Sequence, residues 1–406
     1  MAYEGNCRLG DLFKSRREKG SPGLPVLSVT MNDGLVDRED LERKQDTTLA
    51  PEEHLLVKPG DIAYNMMRMW QGAFGLADQG GLVSPAYVVL APKEKVDSLY
   101  ASQLFGSQRM IYLFWAYSHG LTSDRLRLYF ADFARIPVSV PSVMEQKKIA
   151  EILATWDRAI AVNVALIENY KSQRNVLLHR LMTGEQRLKS FDAPWRNMRL
   201  GDLFQSLDAG VSVNSSDQTI GEFCPSILKT SCITGGRFRA SERKAVVDQQ
   251  EISRLREPLR DDSLLISRMN TPNLVGACAY VEHAPPNTFL PDRLWQATAK
   301  KFVDTRWLSY LLLTPAVKAK LLGIASGTSG SMKNLSKNAL RAICVGVPSY
   351  EEQMAVAKVL TLCDRELDAA ISNMQGVVHE KEFLMQQFFT GKRNVCQSES
   401  IQAVSP

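Results

Sequence analysis

Apolar residues in this chain keep two different periods, and the switch between them marks its organisation. Over residues 141–184 they recur in alternating steps of four and three, at Ile149, Leu153, Trp156, Ile160, Asn163, Ile167, Tyr170, Arg174, Leu177 and Leu181. Over residues 348–391 the same spacing picks out Val356, Leu360, Cys363, Leu367, Ala370, Met374, Val377, Lys381, Leu384 and Phe388. Both are heptad seams with a polar residue at one or two steps. Each stretch begins with Ser-x-x-Glu after a proline (Ser142 to Glu145, Ser349 to Glu352) and ends on Thr-Gly (Thr183-Gly184, Thr390-Gly391). The first pattern predicts a capping box, with Ser bonding the third amide and Glu the cap amide; the second predicts a left-handed glycine closing the helix. Some forty residues at 1.5 Å each make rods of about 60 Å. A stripe that long exceeds what one small globule covers, so the rods are expected to pair with each other, antiparallel.

Outside the rods the pattern changes to short alternating runs and shorter helical ones. "LPVLSVT" and "PSILKTSCIT" read as strands, as do "PGDIAYNMM" and "DDSLLISRM", then "RIPVSVP" and "AICVGVP". "SLYASQLFGSQRMIYLFWAY" and "TRWLSYLLLTPAVKAKLLGIAS" read as helices. The pairs match because the chain is a tandem repeat. "RLGDLF" stands at Arg8–Phe13 and again at Arg199–Phe204, and residues 141–184 align without a gap on 348–391, an offset of 207 (348 − 141). The expected fold class is α/β (α+β): two mixed globules, each followed by a long helix, the two helices forming an antiparallel coiled coil. The expected domains are 1–140, a globule; 141–184, a long helix; 185–198, a linker; 199–347, a second globule; 348–391, a second long helix; and 392–406, a flexible tail. Ile149, Leu153, Trp156, Ile160 and Ile167, with Val356, Leu360, Cys363, Leu367 and Met374, are the expected coiled-coil contacts.

At 406 residues the length suits two or three cores. Hydrophobic residues at 45% and charged ones at 23% are globular averages, which excludes general disorder. The net charge of +5 permits an anionic partner without demanding one. Seven scattered cysteines form neither a zinc pattern nor a disulfide framework. No run reaches the roughly 18 apolar residues of a membrane span, and the first fifteen residues, with Glu4, Arg8 and Asp11, lack the apolar core of a secretory signal. A cytoplasmic location is expected.

A globule ending in a Pro-Ser-x-x-Glu-Gln turn, a long helix ending in "LMTG", the whole repeated, and "RLGDLF" opening each unit resemble the specificity subunit of a Type I DNA restriction-modification system, over residues 7–393. The resemblance implies two target recognition domains, each reading one half of a split DNA target. It implies a coiled coil that sets the gap between the halves, and helices that dock two methyltransferase subunits, with motor-nuclease subunits joining the full complex. It also implies that S-adenosylmethionine, ATP and Mg belong to the partner subunits and that this chain holds no cofactor. The specificity component of a methylation-only or phage-exclusion system, and a coiled-coil scaffold with two ligand-binding globules and no DNA role, fit the same sequence.

No catalytic constellation accompanies these features. "GTSGSMKN" at 327–334 lacks phosphate-loop spacing, "APPNTF" at 284–289 is not the adenine-methylating tetrapeptide, and the five histidines have no metal-ligand spacing. A non-catalytic subunit with no metal site is expected. Phosphates are held by Lys and Arg, guanine by Arg or Lys, adenine by Asn or Gln. Loops rich in these types nominate Arg16, Arg17, Lys19, Arg68, Gln71, Arg125 and Arg127 in the first globule. In the second they nominate Arg237, Arg239, Arg268, Asn270, Asn273, Ser331, Lys333 and Asn334. Arg68 and Arg268 follow corresponding strands and are expected to share a role. The doublets Asp157-Arg158 and Asp364-Arg365, kept in both copies, are expected to serve folding or assembly.

Overall fold

The computed structural model describes residues 7–41, 49–122, 125–218, 221, 224–327, 332–393 and 395. The chain divides into two compact units, residues 1–165 with 372–406 and residues 166–371. Each unit therefore contains one globule, the N-terminal part of the rod that follows it and the C-terminal part of the other rod. The rods are single helices, Val143–Thr183 and Tyr350–Phe389.

The rod ends follow from local chemistry. Ser142 Oγ accepts from the Glu145 amide at 3.4 Å, and Ser349 Oγ from the Glu352 amide at 3.3 Å. The reciprocal half of a capping box is replaced at Glu352, whose carboxylate turns to Arg187 and Trp195 instead. Gly184 and Gly391 close the helices at φ 75° and 71°, a left-handed conformation that a side chain would strain.

In the first unit a four-stranded antiparallel sheet runs in the order Phe13–Arg16, Tyr87–Pro92, Ile62–Asn65, Phe74–Leu76. In the second the order is Phe204–Ala209, Leu294–Ala299, Ser263–Ser267, Cys278–Val281. Strand pairing matches Phe13 with Phe204, Ile62 with Leu264 and Val89 with Gln296, so the two sheets share one plan. The "RLGDLF" repeat packs it down: Leu9, Leu12 and Phe13, like Leu200, Leu203 and Phe204, are buried. Gly10 lies so near Ala134 that a Cβ would stand 2.8 Å from the alanine methyl, and Gly201 meets Arg341 Cβ at the same distance.

Each long predicted globule helix is two helices. Ser98–Phe105 gives way to Gln108–Ala116 because Ser107 caps the second. Thr305–Leu313 and Pro315–Ile324 break where Pro315, which has no amide to donate, starts a new helix capped by Thr314. The predicted strands contract to Leu27–Val29, Ser226–Leu228, Ile62–Asn65, Ser263–Ser267, Pro137–Val138 and Cys344–Val347. No single described helix is long and apolar enough to cross a membrane.

Every one of the twenty seam positions is buried or half-buried, including Trp156, Ile160, Cys363 and Met374. The rod segments within a unit run antiparallel: Asp157 faces Lys381 and Asn163 faces Asn373 in the first, and Arg174 faces Asp364 in the second. The seam is not a pure coiled coil, however. Ile149, Leu153 and Phe388 belong to the core of the first globule, and Val356 and Leu360 to that of the second. A rod end that meets a globule buries its stripe there, where the length of the stripe alone predicts the opposite rod.

Candidate nucleic-acid interface

Two polar contacts fasten each globule to its rod, and they recur at the 207-residue offset. Gln146, fully buried, donates to the carbonyls of Pro141 and Lys95 and accepts from the Asp97 amide at 2.9 Å. Gln353, also fully buried, donates to Pro348 and Phe302 and accepts from the Asp304 amide at 2.9 Å. Asp97 and Asp304 are themselves the N-caps of globule helices, so each glutamine ties the start of a rod to the start of a second helix. Farther along, Asp157 accepts from Gln103 at 2.6 Å and from Lys381 at 2.5 Å. Asp364 accepts from Tyr310 at 2.7 Å and from Arg174 at 2.9 Å. The aspartates kept in both copies thus join rod to rod and rod to globule, whereas their neighbours Arg158 and Arg365 stay exposed.

The rigid frame presents loops at one end of each sheet. In the first unit Arg68 opens the short turn Met69–Gln71 beyond strand Ile62–Asn65 and is exposed, as is Gln71. Trp70 is half-buried and donates its indole N–H to the Met67 carbonyl, which firms the turn. A second loop is stitched beside it: the Leu128 amide donates to Met66 O at 2.9 Å, and His119 and Arg127 exchange two 2.9 Å backbone bonds. That loop carries exposed Arg125 and Arg127. Strand Phe13–Arg16 runs parallel to Ile62–Asn65 across their shared neighbour, so exposed Arg17 and Lys19 leave toward the same end of the sheet. Among the described residues none of these four arginines, nor Lys19, has an ion-pair partner.

The second unit repeats the stitching. The Leu335 amide donates to Arg268 O at 2.9 Å, and Met269–Asn270 pairs with Lys333–Asn334. Arg268, Asn270, Lys333 and Asn334 are half-buried and Asn273 is exposed. Leu335 corresponds to Leu128, so its partner Arg268 corresponds to Met66, and Asn270 to Arg68. The expected equivalence of Arg68 and Arg268 is therefore two residues out of register. The Asn270 amide is also spent locally, donating to Ser267 at 3.3 Å and accepting from the Thr271 amide at 2.9 Å. Asn334 Oδ1 is buried and has no hydrogen-bond partner among the described residues.

Two nominated arginines serve the fold instead. Arg16 is locked by Asp61 through 2.6 and 3.1 Å bonds and by Glu18, and the bond from Asp61 raises its pKa, holding it charged. Arg237 pairs with Asp364 and Asp368 on the rod. Both sites looked like free basic loops because their carboxylates lie far away in sequence. Arg239 remains exposed, and Ser331 lies outside the described residues.

A family model described as the Type I restriction modification DNA specificity domain matches residues 6–169. The Type I restriction enzyme MjaVIII specificity subunit of Methanocaldococcus jannaschii is 21% identical over 359 residues, which is 84% of this chain and 81% of that one. The S subunit of a Type I restriction-modification system from M. genitalium shares the fold with a TM-score of 0.56 at 16% identity, over 95% of this chain and 96% of its own. A chain from a structural study of complex assembly and conformational transition of the type I R-M system gives 0.58 at 15%, over 95% and 97%. At such identities the structural likenesses establish the fold, and the family model supplies the family for the first globule and most of its rod. Residues 6–169 thus match the Type I restriction modification DNA specificity domain, and the repeat carries the same plan through the second half, so the chain as a whole is similar to Type I restriction-modification specificity subunits.

Proposed function

We propose that the chain selects a two-part DNA target for a Type I restriction-modification complex, each unit reading one half. The observation that carries this reading is the contrast between frame and loops. Rod locks, sheet order and loop stitching are the same in both units, while the residues on the stitched loops differ: Arg68, Gln71, Arg125 and Arg127 against Arg268, Asn273 and Lys333. A frame built twice with different polar loops suits two different half-sites, because base contacts specify and the scaffold only positions. Unpaired arginines supply both phosphate attraction and guanine readout.

The rods contribute spacing and docking. Half-site separation follows from how a protein holds its readers apart, and in this reading that task falls to the two long helices, each of which contributes to both units. Arg158 and Arg365 are kept in sequence and exposed in both units, which suits one surface met twice by two copies of a methyltransferase subunit. Motor-nuclease subunits complete the assembly in the cytoplasm. S-adenosylmethionine, ATP and Mg are used by the partners, and this chain performs no chemistry of its own.

Mapping methylated adenines in host cells with and without this gene tests the proposal. The expected result is a split motif with a fixed gap that disappears with the gene. A methylome indifferent to the gene, in cells that make the protein, refutes it.

A further inference from the structure

Helix Gln108–Ala116 of the first unit buries Met110 and Phe114 but leaves Tyr112 62% and Trp115 48% exposed, their rings 5.7 Å apart at 37°. In the matching helix Pro315–Ile324, buried Val317 and Leu321 occupy the places of Met110 and Phe114. The places of Tyr112 and Trp115 are taken by Ala319 and Leu322. The core positions stay apolar and buried while the exposed ones lose both rings, so the fold does not require the aromatic pair. Two large rings set against each other in water instead mark a contact surface.

The surroundings identify the partner. No Asp or Glu occurs between Asp97 and Asp124, while Arg109 and His119 flank the pair. The helix packs on the turn Met69–Gln71, beside exposed Arg68 and Gln71. Its C-terminus leads into the loop carrying Arg125 and Arg127. Asp132, which reaches this loop, is engaged by His119 Nε2 at 3.4 Å. An aromatic face without carboxylates of its own and edged by arginines is complementary to a polyanion whose sugars and bases offer apolar surface.

We propose that Tyr112 and Trp115 contact duplex DNA next to the bases read from the Arg68 turn, packing on deoxyribose and base edges. The half-site met by the first unit then carries a shape requirement that the other half-site lacks. This rests on the function proposed above and names residues within it.

The test is the adenine methylome of host cells whose sole copy of the gene encodes Y112A/W115A, with complex size measured by size exclusion. The expected outcome is a complex of unchanged size, with methylation about tenfold slower at cognate sites or with the motif relaxed in one half while the other half stays intact. Y112F/W115F keeps two rings and restores most of the rate. An unchanged methylome overturns the proposal. So does loss of the complex, which would make the patch a protein-docking face. A wild-type methylome without a split motif overturns the function itself, a result distinguishable from both.

Discussion

Replacing Asp364 by Ala removes a carboxylate that three side chains of the second unit share. Arg174 donates to it from the other rod at 2.9 Å, Tyr310 from the globule at 2.7 Å, and Arg237 reaches it at 3.5 Å. The Arg174 and Asp364 side chains are 19% and 20% exposed, so the pair is only partly screened by water. Without the carboxylate, Tyr310 keeps a 3.3 Å contact with Thr361, and the guanidinium of Arg174 stays half-buried without its charge partner. A hydrogen bond to a charged group contributes about 1.5–3 kcal/mol, and stranding a partner adds to the loss, so the cost is about 3 kcal/mol. For a cooperative unit of about 200 residues that lowers its melting temperature by roughly 6–12 °C. Calorimetry on Asp364→Ala, Arg174→Ala and the double variant gives the pairwise term, expected at about 1–2 kcal/mol. Asp364→Asn should fall between wild type and Ala, because it still accepts from Tyr310. Asp157→Ala should cost less, since that carboxylate is 44% exposed where it meets Lys381. A cycle that closes to within about 0.3 kcal/mol would show that the pair does not hold the rods together.

The other expectations separate frame from reader. Gln146→Ala and Gln353→Ala each break three bonds at a buried side chain and should lose about 2–3 kcal/mol in urea unfolding; curves that overlay wild type would count against the lock. Arg68→Ala should weaken binding of the assembled complex to its methylated target by tenfold or more with normal melting, whereas Arg16→Ala, which strands buried Asp61, should lower the melting temperature first. Equal behaviour of the two would erase the distinction. Burial pushes the thiols of Cys232 and Cys278 up to about 12, so at pH 8 both stay protonated in the folded protein, while Cys344 is exposed. Iodoacetamide and peptide mass spectrometry should find Cys344 modified and the other two protected until unfolding, and early labelling of Cys278 would contradict the packing.

The rods were legible because an uninterrupted apolar period, a capping serine and a closing Thr-Gly are all local signals. The register of their seams was readable for the same reason. What could not be read was the duty of the retained polar residues. Gln146 and Gln353 stand among lysines and glutamates on what looks like a solvated helix face, yet both are fully buried, because the groups they satisfy start another helix about fifty residues earlier. Arg16 and Arg237 were misread for the converse reason: a basic loop and a folded ion pair look alike until the distant carboxylate is known. The usable signal was retention across the repeat. Glu-Gln and Asp-Arg survive at the 207 offset where most neighbours changed, and in each doublet a lock residue, the glutamine or the aspartate, sits beside one with a different duty.

The drift of that offset shows where the chain is free to vary. It is 191 between Leu9 and Leu200 (200 − 9), 202 between Ile62 and Leu264 (264 − 62), and 207 from Val89 and Gln296 (296 − 89) onward. Every net insertion in the second unit therefore falls between the "RLGDLF" turn and the strand Leu294–Ala299, among the connections of the sheet. From that strand through the globule helices to the rod, partners such as Gln103 and Tyr310, Asp97 and Asp304, or Ala134 and Arg341 hold one spacing. An insertion there would rotate a lock residue off its contact, since a single added residue turns a helix by about 100°. Loops before the strand answer to no such constraint. Lengthening one should leave melting and complex size unchanged while altering the DNA sequence selected. An insertion of one residue between Gln353 and Asp364 should do the reverse, abolishing assembly whatever the target.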